Sequence, residues 1–152
     1  MIAEKVKQSR KFFLKDYNCA QSVMKAILFN SKKNVELNEL TNIAAGFGGG
    51  MAHEGLVCGA VSGAIAAIGL LIGYKIEDIQ EHKQTTYHTS EKFVQKFKQK
   101  HKSIICNELT GIQMKDNISR EKALQDGLFY EKCPAYVEDA VRIALEIMRE
   151  SN

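Results

Sequence analysis

The chain has 152 residues, a length that suits one domain with a real hydrophobic core. Its 45% hydrophobic and 26% charged residues are ordinary for a globular protein and exclude a disordered or fibrous chain. A net charge of +3 is too small to argue for a nucleic-acid partner, and none is expected.

The N-terminal stretch "MIAEKVKQSRKFFLKD" carries charge throughout and has no secretory apolar run, so a cytoplasmic location is expected. Apolar positions recur at helical spacing there and almost everywhere else, and no segment alternates as a strand would. A first helix is predicted over residues 2–15. Asn18 then caps "CAQSVMKAILF", whose apolar face is Cys19, Ala20, Val23, Met24, Ile27 and Leu28. A short helix is predicted from Asn38 or Glu39 to Ala45. It ends at "GFGGGMAHEG", because successive glycines cost too much backbone entropy inside a helix.

A central helix is predicted from Leu56 to Gly73, followed by a short one in "KIEDIQEHKQ" and a longer one in "TSEKFVQKFKQKHK" capped near Thr89 or Ser90. In the longer one, Lys92, Lys96 and Lys100 lie opposite Phe93, Val94 and Phe97, the pattern of an amphipathic helix with a solvated basic face. "SIICNELTG" reads as a short helix with Ser103 as a cap and Gly111 as its end. "SREKALQDG" reads as another, starting at Ser119. The last helix is predicted to begin at "CPAYVEDAVRIALEIMRE", with Pro134 in its first position and an apolar stripe of Val137, Ala140, Val141, Ala144, Leu145 and Met148. The fold class is all-α: a compact helical domain with a central Gly/Ala-rich buried helix surrounded by amphipathic ones.

The segment from residue 56 to 74 is free of charge and, as a helix, would be about 27 Å long, near the ~30 Å of a hydrocarbon layer. Its small residues, including the Gly59–Gly63 pair, and the amphipathic neighbours favour a buried core helix over a membrane span. Small-residue faces of this kind also leave room for a homodimer.

Each of Cys19, Cys58, Cys106 and Cys133 falls at a predicted helix start. Unpaired N–H groups and the positive dipole end favour an anion there, and a thiolate is such an anion. This setting can lower a thiol pKa from about 8.5 to roughly 3.5–7.5. Taken singly, each cysteine is better explained as a small buried hydrophobe, and it is the shared helix-start position that favours a site for the set. The sequence holds no CxxC pair, and the gaps of 39, 48 and 27 residues match no zinc-finger, thioredoxin or ferredoxin spacing. Catalytic signatures such as GxSxG, the P-loop and HExxH are missing too.

Together, "NCAQSV", "GFGGGMAHEGLVCGAVSGAIAAIGL", "CNELTG" and "CPAYVEDA" resemble the C_GCAxxG_C_C family of redox-active proteins. In this chain the central block reads Cys58-Gly59-Ala60-Val61-Ser62-Gly63, with cysteine before glycine. The resemblance implies a small helical domain whose four cysteines form a redox or metal site. A related domain is associated with a split-Soret type cytochrome that carries an iron–sulfur centre, although this chain has no CxxCH haem motif.

Three functions follow for comparison. In the first, Cys19, Cys58, Cys106 and Cys133 act as ligands of an iron–sulfur cluster or zinc, or as reactive dithiols serving an unidentified redox partner. Gly48, Gly49 and Gly50 would let backbone N–H groups approach a bound anion or sulfide, and His53 or Glu54 could assist or add a ligand. The second is a helical interaction module with inert buried cysteines. The third is a nucleic-acid or anionic-surface binder using the lysine face, against which the ordinary solvated face of an amphipathic helix is favoured.

Overall fold

The computed structural model describes residues 1–31 and 36–151. Among these are eight α-helices and no strand: α1 (Ile2–Lys15), α2 (Cys19–Leu28), α3 (Leu37–Ile43), α4 (Gly59–Gly73), α5 (Ile79–His101), α6 (Cys106–Thr110), α7 (Asn117–Gln125) and α8 (Leu128–Glu150). A single 3-10 turn, Ala45–Phe47, leads into the glycine-rich stretch.

Helix α4 is the hub, packing against α2, α5 and α8. Gly59, Ala60, Val61, Gly63, Ala64, Ala67, Ile68 and Ile72 are buried along it. Its other side, with Ile65, Ala66, Leu70 and Leu71, is only partly covered. Gly63 comes closest to the α2 backbone: an added methyl group there would lie 2.5 Å from the carbonyl oxygen of Ala20. Side chains on both helices must therefore be small for this crossing to exist. No described helix is long and apolar enough to cross a membrane.

Local chemistry fixes the helix ends. Asn18 caps α2 by accepting from Gln21 N–H (3.0 Å), while the Gln21 side chain accepts from Asn18 N–H (3.1 Å). This reciprocal pair satisfies two donors that would otherwise be orphaned. Gly111, at φ 75, closes α6 as its position in the sequence suggests.

Elsewhere the structure moves the predicted boundaries. The central helix begins at Gly59, so Leu56 and Val57 lie outside it. Two helices predicted after Tyr74 are one, capped by Asp78 and not by Thr89 or Ser90. The threonines between them weaken helix propensity. Packing overrides that weakness: the Thr89 hydroxyl donates to the Thr85 carbonyl (2.8 Å), and Phe93 and Phe97 are fully buried. Asp116, not Ser119, caps α7. Helix α8 starts five residues before Cys133. Pro134 therefore sits in its interior, where it leaves the i−4 carbonyl without a helical partner. Burial of the whole proline ring offsets that loss.

Two clasps hold the site-bearing ends. Asp139 of α8, buried, accepts from Lys100 (2.9 Å) and His101 (2.9 Å) at the end of α5, and from Arg142. Val57 and Ile105 form an isolated antiparallel bridge. Around it, Cys58 N–H donates to the Ile104 carbonyl (2.7 Å) and Cys106 N–H donates to the Leu56 carbonyl (2.6 Å). This bridge joins the starts of α4 and α6 and so brings two distant cysteines side by side.

Candidate functional site: a four-cysteine cavity

Cys19, Cys58, Cys106 and Cys133 line one cavity of about 110 Å³. Cys19 is the first residue of α2, Cys58 the N-cap of α4 and Cys106 the first residue of α6. Cys133 departs from the expected pattern. It is the sixth residue of α8, so it reaches the cavity from the side of a helix and not from a helix start. The sequence suggested otherwise because proline is so often the first helical residue, whereas here tertiary packing accommodates it inside.

The remaining wall is largely aromatic and aliphatic, with Phe13 from α1, Leu109 from α6 and Phe129 and Tyr136 from α8. Among the described residues, no lysine, arginine, histidine or carboxylate lines it. Sequence reasoning missed these wall residues. Leu109 and Tyr136 left a signal, since they follow Cys106 and Cys133 by three residues, about one helical turn, on the same face. The Tyr136 hydroxyl donates to the Leu109 carbonyl at 2.7 Å and ties α8 to α6 over the cavity.

The electrostatics run opposite to the expected lowering of the thiol pKa values. Burial pushes Cys58 well above the ordinary thiol value, and negative charge at Cys19 would push it further. Burial, then Cys19, raises Cys106 to about 11. Burial, then Cys19 and Cys106, raises Cys133 to about 12, against a small opposing effect of Lys132. Cys19 is raised by burial too, although backbone N–H groups of Ala20, Gly49 and Gly59, with its own, favour its thiolate. Helix-start N–H groups are present, but desolvation outweighs them. The apolar wall by itself therefore favours the neutral thiols over the thiolates. A bound cation reverses this balance, because it supplies the charge that the apolar wall withholds.

The glycine stretch forms one side of the site in an unexpected way. Gly49, Gly50, Met51, Ala52 and His53 all have left-handed φ values, of 66, 68, 70, 48 and 64°. Three of the five, Met51, Ala52 and His53, are not glycines. L-residues visit this region as isolated positions, because each costs roughly 1–2 kcal/mol. Gly49 lines the cavity. Gly48 and Gly50 stand behind its wall: a methyl group on Gly48 would lie 2.6 Å from the Asn18 side chain, and one on Gly50 would lie 2.6 Å from Cys106 Cβ. A methyl group on Gly59 would collide with Cys19 Sγ. The structure does not bring His53 or Glu54 to the cysteines. Both are exposed, and Glu54 pairs with Lys115 (3.0 Å).

Among the described residues, no group of three or more histidine, cysteine, aspartate or glutamate side chains is gathered as for a single metal ion. The cysteines are instead distributed around a common space larger than one water, which needs only about 10–15 Å³.

Residues 17–147 match the family described as "Putative redox-active protein (C_GCAxxG_C_C)". The chain belongs to the C_GCAxxG_C_C family. It is also similar to an uncharacterized protein of Archaeoglobus fulgidus, 31% identical over 156 residues, an alignment covering 97% of this chain and 96% of that protein. No solved structure matches it. The match to the C_GCAxxG_C_C family encloses all four cysteines and the glycine stretch.

Proposed function

We propose that this C_GCAxxG_C_C protein is an electron carrier in which Cys19, Cys58, Cys106 and Cys133 ligate an iron–sulfur cluster. The observation that carries this reading is the convergence of four sulfurs, from four separate helices, on one small cavity. Four soft thiolate donors fit an iron–sulfur group, and zinc, which has no redox chemistry, suits a redox family less well. An iron–sulfur cluster supplies one-electron chemistry when bound. The chain's own residues would hold and shield it: Phe13, Phe129 and Tyr136 limit water, and the N–H groups of Ala20, Gly49 and Gly59 stabilise charge on the Cys19 sulfur. Hydrogen bonds to sulfur and solvent exclusion are the levers that set a cluster's potential.

Thiol–disulfide exchange is less well supported. It requires only two sulfurs, and the attacking one must be a thiolate. Here the thiols are held neutral by burial.

Anaerobic purification, or reconstitution with ferrous iron and sulfide, tests the proposal. The expected protein is coloured, contains iron and acid-labile sulfide, and loses both in Cys58→Ser. A colourless, iron-free protein after reconstitution would overturn it. Thiols that then react only after denaturation would point to inert core cysteines.

A further inference from the structure

A second cavity, of about 280 Å³, lies directly outside the first. Phe13, Asn18 and Phe129 line both, so the two spaces are separated by a single layer of side chains. Tyr17 and Tyr130 add two more aromatic rings to the outer cavity, and Phe13 and Tyr130 stand 6.0 Å apart, ring centre to ring centre, tilted by 54°. Large apolar groups at its mouth face solvent: Leu124 is 53% exposed and Tyr130 51%. Exposed apolar groups around a concave, aromatic-walled opening mark a ligand site more than a plain surface.

We propose that this outer cavity binds a neutral, planar aromatic carbonyl compound of the quinone class. Flat walls of four rings suit a flat ring system, which gains by stacking and edge contacts. The volume, just below the ~300–1,000 Å³ of drug-sized pockets, suits two or three fused rings. Lys15 and Asp16 border the cavity, and neither forms an ion pair among the described residues. Their opposite charges offset one another, so the lining residues themselves carry no net charge that would select a phosphate-bearing carrier. The Lys15 ammonium and the Tyr130 hydroxyl can donate to a carbonyl oxygen, whereas the Tyr17 hydroxyl already accepts from Lys25 (3.1 Å). The proposal rests on the cysteine cavity being the redox site, since a ligand seated here lies one aromatic layer from the sulfurs.

The test uses the full chain as isolated anaerobically, with and without iron reconstitution. The probe is 2,3-dimethyl-1,4-naphthoquinone, whose substituted ring carbons block thiol addition. Titration calorimetry gives the affinity, and amide NMR shifts give the location. Saturable binding is expected, with shifts centred on residues 13–18 and 124–130. Tyr130→Ala and Leu124→Ala, both at half-exposed positions, should each weaken it about tenfold without loss of helicity. Riboflavin 5′-phosphate should bind at least tenfold more weakly. Shifts that are absent or centred elsewhere, unchanged affinity in both variants, or tighter binding of the flavin phosphate would each overturn the proposal. Quinone binding at this site in a protein that takes up no iron would uphold the site while the cluster reading falls. Iron uptake without quinone binding gives the reverse.

Discussion

In Ala52→Gly, the sole change is the loss of one methyl group from an exposed residue held at φ 48°. That methyl is what makes the left-handed conformation costly, by roughly 1–2 kcal/mol for an L-residue. Glycine adds freedom to the unfolded chain, which subtracts about 0.4–1 kcal/mol. The expected balance is a stabilisation of about 0.5–1 kcal/mol, or roughly 1–4 °C in Tm for a protein of this size. Urea denaturation followed by circular dichroism, together with calorimetry on the iron-free reduced protein, would measure it. Ala135→Gly supplies the control, because Ala135 is exposed and helical within α8. Removing that methyl should cost about 1 kcal/mol through helix propensity alone. The two alanine-to-glycine changes must therefore have opposite signs. If Ala52→Gly destabilises as Ala135→Gly does, the five-residue left-handed run is not the native backbone, and its role beside the cysteines falls with it.

Glycine-to-alanine changes along α4 should separate three effects. Gly63→Ala presses on α2 backbone and should cost about 1–3 kcal/mol or more in denaturant titrations. Gly59→Ala collides with Cys19 Sγ and should abolish iron uptake before helicity is lost. Gly69→Ala meets only the Thr86 methyl at 3.5 Å and should stabilise by up to about 1 kcal/mol. Asn18→Ala removes the α2 cap and the bond to the Ala45 carbonyl (2.8 Å), with an expected loss of about 1–2 kcal/mol in urea unfolding and weaker iron retention in chelator challenge. Alkaline pH should destabilise the iron-free protein. Cys106 and Cys133 titrate near 11 and 12 when folded, against an ordinary thiol value of 9.0. Above pH 9 the unfolded chain thus loses protons first, and stability falls progressively between pH 9 and 12. The difference between wild type and Cys133→Ala should shrink across that window, and a difference that stays constant from pH 7 to 12 would contradict the raised values.

Apolar spacing determined the all-α class, the Asn18 cap and the Gly111 stop, because each depends on residues within a turn or two of one another. The sequence also singled out Cys19, Cys58, Cys106 and Cys133. The position of Cys133 within its helix was not legible. Pro134 is a helix starter on local grounds, and only the burial of its ring in the folded core permits it inside α8. Likewise the threonines of α5 suggest a break that Phe93 and Phe97 override by packing.

The direction of the thiol pKa shifts belongs to tertiary structure as well. A helix start can be recognised from nearby residues, and its N–H groups favour a thiolate. How much water remains around the sulfur depends on Phe13, Leu109, Phe129 and Tyr136, which arrive from other helices. Desolvation is a property of the assembled wall, so it could not be read from spacing along the chain.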